Sequence, residues 1–390
     1  MFKLNAMVCM LLVPLVELVP SKDVNSDDEL IFVHTVCRHG DRNIYESYPN
    51  DPWKATEFRK GGYAQLTNEG KQQHYQLGQY LRKRYSSLLG NGDYSSDKVY
   101  VRSTDSDRTL MSSQACLAGL FPPTNDQMWN PNLEWQPIPV HTTPLSNDFL
   151  LASDRKCNHF DYIMLEYLNS TEYKSLFKKY KNVIRYLEKM SGKQLRTLTD
   201  INNLYDTLLV EQMKGKCIPD WAVRAMKPCG DLEYLAIFWF KIFTVTDEMK
   251  KLKSGFLLKE ILNRFTNKTQ SILSPNRLYL YFAHDITISN MLNTLGLFKL
   301  HQPPYASCIF FELYKSNGNP YVQIFYMNSA ELEHIWNHPL EIPNCGTKCS
   351  LTDLYELYHD VLPTQSFEEE FVLRDGEILP PDGNPENNSL

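Results

Sequence analysis

Between Arg38 and Arg42 the chain sets two arginines and a histidine within five residues, Arg38-His39-Gly40-Asp41-Arg42. Much further along come Arg102, at the end of KVYVR, and the pair His284-Asp285, directly after RLYLYFA. Arginine stays charged at any relevant pH, and its planar fork of donors matches phosphate oxygens. Three such forks around one point would hold a phosphoryl dianion. A neutral imidazole among them could attack phosphorus in line and become a phosphohistidine. The arginines would stabilise charge on the equatorial oxygens by position and electrostatics. Asp285 could protonate the leaving alkoxide and then act as base towards water. This chemistry asks for no metal and no cofactor. The plainer readings are a solvated basic loop at Arg38–Arg42 and a helix-capping role for Asp285. His34 lies inside an apolar run and reads as structural, and Arg59, Arg82 and Arg108 carry no signal beyond ordinary charge.

Such a site needs elements that converge, and the flanking sequence supplies them. ELIFVHTV ends just before Arg38 and reads as a strand; KVYVR and RLYLYFA read as two more. After KVYVR, Thr104, Asp105 and Ser106 are N-cap candidates for a helix whose apolar face is Leu110, Met111, Leu117 and Leu120. After His284-Asp285, ITISNMLNTLGL reads as a helix that stops near Gly296. Polar or ionisable residues thus follow the C-terminal end of an apolar strand three times. In open α/β sheets ligands bind in the crevice outside those ends, where helix N-termini favour anions. The fold class expected is α/β: a doubly wound, mostly parallel sheet flanked by helices, with a smaller, mainly helical cap. The α/β core is expected at 28–152 and 270–349, and the helical insertion at 153–269. Thr67 caps a helix that runs to Gly90, and Asn317-Gly318 marks a hairpin turn between SCIFFELYKS and NPYVQIFYMN. The acidic segment 367–390, rich in Pro and Asn, is expected to be a disordered tail.

The 390 residues suffice for one large domain or two modest ones, and 43% are hydrophobic. A net charge of -6 argues against nucleic acid as a partner, so the basic cluster is a local feature. Residues 1–20 read as a signal peptide, with Lys3 before the apolar run Met7–Val16. A bilayer span needs ~20 apolar residues, so no membrane span is expected in the mature form. Cleavage is placed near Pro20. Eight cysteines remain after Cys9, an even number that suits disulfides in a secreted chain. Cys345 and Cys349 lack the second ligand pair that a zinc site needs. Sequons at Asn169, Asn267 and Asn387 fit the same route. The chain is expected to be secreted, with a lysosomal destination as the variant.

RHGDR, VRSTDSDRTLMS and AHD resemble the histidine acid phosphatases, branch 2 of the histidine phosphatase superfamily. WQPIPVHTTPLS, FPP and PPYASC extend the resemblance to the animal prostatic and lysosomal enzymes, over nearly all of Glu29–Cys349 and most weakly in the helical insertion. The resemblance implies His39 as nucleophile, Asp285 as proton donor, and Arg38, Arg42, Arg102 and His284 as phosphate ligands. It implies disulfides Cys217–Cys308 and Cys345–Cys349, and a distant partner for Cys157. Cys37, Cys116 and Cys229 depart from the family pattern; a packed free thiol is expected for Cys37. Ile44 stands where the family carries proline, which is expected to loosen the loop without removing a catalytic group. The activity implied is hydrolysis of small phosphate monoesters or phosphorylated peptides, best at acidic pH, by a chain that the resemblance suggests is a homodimer. The alternatives are a non-catalytic relative that binds anions, and a phytase-like inositol-phosphate phosphatase.

Overall fold

β-Branched and aromatic residues build three strands, β1 (Asp28–Arg38), β2 (Val99–Ser103) and β3 (Leu278–Ala283), in the computed structural model. The structure describes residues 28–53, 62–90, 92–152, 154–270, 275–329 and 338–380. The signal segment 1–20, Arg59 and the Asn387 sequon lie outside them. β3 is buried at every position, as a parallel strand covered on both faces requires. It pairs in parallel with β1 and β2, with Arg38 level with Ala283 and Ser103 level with Phe282. That register lines up the ends of all three strands.

β4 (Cys308–Ser316) and β5 (Asn319–Met327) form the hairpin expected from Asn317-Gly318. Both turn residues have positive φ, 48° and 87°, as a tight hairpin of this hand demands. β4 lies antiparallel to β1, and β6 (Cys349–Ser350) completes the order β2-β3-β1-β4-β5-β6. The sheet is therefore mixed. The two-residue turn can only return β5 antiparallel to β4, and the parallel part is confined to β2, β3 and β1, the half that carries the crevice.

Helix α1 (Asn68–Arg84) starts where Thr67 accepts a hydrogen bond from the Gly70 N–H. It stops at Tyr85, and the short α2 (Ser86–Leu89) follows, so the helix expected to reach Gly90 is broken once. At the break the buried Tyr85 hydroxyl donates to Glu312 at 2.7 Å. α3 (Asp107–Leu120) packs beside α1 on one face of the sheet. Next come α4 (Asn158–Asn169), α5 (Thr171–Ser191), α6 (Leu198–Met213), α7 (Asp220–Ala225), α8 (Asp231–Ile242) and α9 (Asp247–Lys250). These have an apolar core of their own, with Phe160, Leu187, Leu204, Trp221 and Leu235. α10 (Phe256–Thr269) instead turns Leu258, Ile261 and Phe265 onto the other face of the sheet. α11 (Asp285–Thr294) and α12 (Leu351–Leu357) join it there.

Two expectations are overturned. Residues 367–380 are not a loose tail. Phe367, which opens α13 (Phe367–Glu370), stacks on Phe149 at 3.8 Å, and Phe371 meets Phe256 edge-on. His159 sits between Glu248 and Glu377, at 3.2 and 2.8 Å. Charge dominates the composition of this stretch, but its two phenylalanines anchor it. Residues 381–390 lie outside the described part. The second correction concerns the cysteines. Cys308 bonds to Cys37, not to Cys217, because the β1–β4 register sets the two directly opposite, with Cα atoms 4.1 Å apart. Cys37 is therefore no free thiol. Cys345–Cys349 is bonded as expected, while Cys116 and Cys157 are buried thiols and Cys217 and Cys229 exposed ones.

Candidate active site

Arg38 is the last residue of β1, and the chain then turns under the N-terminus of α1. The turn is possible because two glycines meet: a Cβ on Gly40 would lie 2.3 Å from the Gly70 carbonyl oxygen. The loop is tied at each step. The Gly40 N–H donates to Ser112 Oγ at 3.1 Å, the Asp41 N–H to Gln73 Oε1 at 2.8 Å, and His74 Nε2 to the Arg38 carbonyl at 3.0 Å. His39, almost fully buried, has Nδ1 2.8 Å from the Gly40 carbonyl oxygen. A carbonyl only accepts, so Nδ1 carries the hydrogen and the Nε2 lone pair is left free. Burial first, then the charges of Arg38 and Arg108, hold His39 well below the usual imidazole range, so it is neutral.

From the end of β3, His284 and Asp285 reach the same point. The His39 and His284 rings lie 5.7 Å apart, edge to face. Arg108 Nη2 lies 3.1 Å from His284 Nδ1, and because arginine can only donate, Nδ1 accepts. His284 Nε2 then donates to Thr104 Oγ1, also at 3.1 Å. Burial and the Arg108 charge push the His284 imidazolium down to about 3. Asp285 Oδ2 lies 2.7 Å from Arg38 Nη2. Burial raises the Asp285 carboxyl, but Arg38 and Arg42 outweigh it and hold it below the ordinary carboxylate value. Arg38 also stacks over Tyr305 at 4.2 Å. Buried Nε–H groups of Arg38 and Arg108 have no acceptor among the described residues.

Arg42 is held from the helical insertion. Its Nη1 and Nη2 donate to the two oxygens of Asp206 on α6, both at 3.0 Å. Burial works against the charge of Arg42, and Asp206 more than restores it. Ile44 is wholly buried against Val210 of α6 and Trp53. The loop expected to loosen for want of proline is instead clamped by packing.

His39, Arg42, Arg108, His284 and Asp285 share the wall of one cavity of about 330 Å³. The rest of its wall is Tyr45, Asp154, Thr199, Asn202, Asn203, Asp206, Trp239, Ile286 and Gln302. Arg38 stands beside it through its ion pair with Asp285. Arg102 does not join them. Strand alternation turns it toward Asp148, 2.6 Å away and fully buried, which takes its charge. The third arginine of the site is Arg108, in the first turn of α3 at its crevice-facing end. The signal for it was present in the sequence: a cation in the first turn of a helix that follows a strand end is aimed at the crevice, unlike one within the strand.

A profile of the histidine phosphatase superfamily (branch 2) matches residues 29–327. Bovine prostatic acid phosphatase is 40% identical over 352 residues, 89% of this chain and 88% of that protein. Human prostatic acid phosphatase is 41% identical over 338 residues, 86% of each chain. Human lysosomal acid phosphatase is 38% identical, over 89% of this chain and 81% of that protein. Among solved structures, a phytase of Klebsiella sp. ASR1 superposes with a TM-score of 0.63 at 16% identity, over 91% of this chain and 99% of that one. A Hafnia alvei phytase in complex with tartrate gives 0.64 at 17%, over 87% and 98%. Identities this low speak for the fold alone.

Proposed function

The chain belongs to the histidine phosphatase superfamily, branch 2, and is a phosphoric monoester hydrolase of the acid phosphatase kind; on that premise we propose that it acts through a phosphohistidine on His39. The observation that carries this reading is the His39 tautomer: Nδ1–H is committed to a backbone carbonyl, so a free Nε2 lone pair sits among three arginines. Nε2 attacks phosphorus in line, a P–N bond forming as the ester P–O bond breaks. Arg38, Arg42 and Arg108 carry the charge of the equatorial oxygens, and His284 offers a further N–H by exchanging Thr104 for a phosphate oxygen. Asp285 gives a proton to the leaving oxygen, then takes one from the water that cleaves the P–N bond.

Arg38 and Arg42 hold Asp285 ionised, so the proton must come with the substrate. A phosphate monoester at acidic pH arrives as a monoanion. Its charge draws Arg38 away from Asp285 and raises the carboxyl, which lets the proton pass to it. This favours acidic pH. The arginines supply the electrostatic stabilisation, so the reaction is proposed to need no metal.

The cavity wall bears on the phytase-like alternative. Beyond the site arginines, its described residues offer amides, hydroxyls, aromatic rings and the carboxylates Asp154 and Asp206. A leaving group with several more phosphates would meet no further cation among the described residues of that wall. Phosphate monoesters with uncharged or peptide leaving groups are the proposed substrates. Secretion is proposed from the N-terminal apolar segment, the two disulfides and the exposed Asn169 at the end of α4, with the lysosome as the other destination. No helix among the described residues is long and apolar enough to cross a membrane.

The test is p-nitrophenyl phosphate hydrolysis at acidic pH with EDTA present, in wild type and His39→Ala, with rapid acid–base quench to trap a phosphoprotein. Turnover by the wild type alone, with alkali-stable, acid-labile label, is expected. An inert wild type favours the non-catalytic relative, and equal activity in His39→Ala sinks the assignment.

A further inference from the structure

The second motif arginine is aimed by a residue from another part of the chain. Arg42 carries five N–H groups. Nη1 donates to Asp206 Oδ2 at 3.0 Å and to the Asn43 carbonyl at 3.1 Å, and Nη2 donates to Asp206 Oδ1 at 3.0 Å. The carboxylate thus grips the far end of the fork. What remains is its side edge, Nε–H with the outer Nη2–H, a pair spaced for two oxygens of one phosphoryl group. Arg42 is 7% exposed and Asp206 5%, so neither side chain is free to swing.

Asp206 is itself held in register. Asp206, Val210 and Lys214 recur at four-residue spacing along α6 and its C-cap, and so share one face. All three meet the loop after β1: Asp206 pairs with Arg42, Val210 packs on Ile44, and Lys214 pairs with Asp41. Thr207 on the same face donates to the Glu46 carbonyl at 2.7 Å.

We propose that Asp206 is a positioning residue for phosphoryl transfer: by holding the end of the Arg42 fork it turns the side edge toward the phosphate and couples the helical insertion to the catalytic loop. This rests on the reading of the cavity as a phosphoryl-transfer site. A rival exists in the same geometry, since a carboxylate on an arginine could instead occupy the place of the anion.

Inorganic phosphate binding by calorimetry and kcat/KM for p-nitrophenyl phosphate, measured on wild type, Asp206→Ala, Asp206→Asn, Arg42→Ala and Arg42→Ala/Asp206→Ala, separate these. Loss of orientation is expected to lower kcat/KM of Asp206→Ala on the order of 10- to 100-fold. Its phosphate affinity is expected to fall about tenfold, because the bidentate edge is lost. Asp206→Asn has the same volume and keeps one acceptor, so an intermediate loss is expected even if Asp206→Ala folds poorly. The double variant should match Arg42→Ala within about twofold, since Asp206 acts only through Arg42. A merely structural role would lower the melting temperature and add its loss to that of Arg42→Ala, which overturns the proposal. So does tighter phosphate binding by Asp206→Ala, the signature of the rival. If the wild type turns nothing over, the phosphatase reading fails, while phosphate affinity still decides the role of Asp206.

Discussion

Arg102 and Arg108 show how little separates a cation spent on an ion pair from one that lines the cavity. Arg102 lies in β2 and Arg108 just after it, yet Arg102 ends in an ion pair with buried Asp148, and Arg108 reaches His284. Arg108→Ala should lower kcat/KM on the order of 10²- to 10³-fold, as removal of a transition-state donor does. Arg102→Ala should leave kcat nearly unchanged while lowering the melting temperature, because Asp148 is left as a buried unpaired charge. The reverse ranking would restore Arg102 to the site. Asp285→Asn separates the proposed proton donor from the proposed phosphate ligands. Its loss, on the order of 10²- to 10⁴-fold for alkyl phosphates, should shrink for p-nitrophenyl phosphate, whose leaving group needs no proton. Equal losses on both substrates would remove Asp285 from that role.

The loop from Arg38 to Glu46 is precise because three elements close on it: α1 beneath Gly40, α3 through Ser112, and α6 along one face. Ile44 replaces the stiffness of a proline with packing. Ile44→Ala should therefore lower stability by about 2–4 kcal/mol, a buried truncation facing a helix that cannot collapse onto it. Chemical denaturation reads the loss, and a change below ~0.5 kcal/mol would show that surface contacts, not the core, hold the loop. The Cys37–Cys308 bond closes a long loop next to the same strand end. Replacing both cysteines by alanine should cost about 2–5 kcal/mol by the usual effect of a native disulfide, with kcat retained in the folded fraction, since β1 and β4 stay paired by backbone hydrogen bonds.

Among the described residues, burial pushes the imidazoles of His34, His39, His74 and His284 below the ordinary value of 6.5, His74 to about 4 and His284 to about 3. The unfolded chain binds these protons first, so stability falls as pH drops from about 6.5 towards 4. Asp285, also depressed, acts in the same direction at the lower end. Glu211 has the opposite sign. It is fully buried on α6 and raised to about 8, by burial and then by Asp51, so its contribution is full below 4.5 and lost as pH rises through 8. Melting temperatures of the phosphate-free protein should fall from pH 6.5 to 4, and saturating phosphate should oppose the fall. Glu211→Gln should melt higher than wild type at pH 8 and alike at pH 5. A uniform shift at both would mean that packing, not ionisation, is what Glu211 contributes.

Local chemistry made much of this legible in the sequence. Strand ends, helix starts and the Asn-Gly turn depend on neighbours a few residues apart, so the three-strand crevice, with His39, Arg38, Arg42 and His284-Asp285 beside it, could be read off directly. Residues whose partners are remote in sequence could not be placed that way. Cys308 chose Cys37 through a strand register; Arg102 was lost to Asp148; Asp206 entered the cavity wall from a helix whose orientation no local pattern states, whereas Arg108 carried a local signal in its place in the first turn of α3. The acidic tail was misread for the same reason, since Phe367 and Phe371 find their partners only on the folded surface. Side-chain types and short spacings determined what chemistry the chain can do. Long-range packing, which sets the direction of each guanidinium, decided which residues do it.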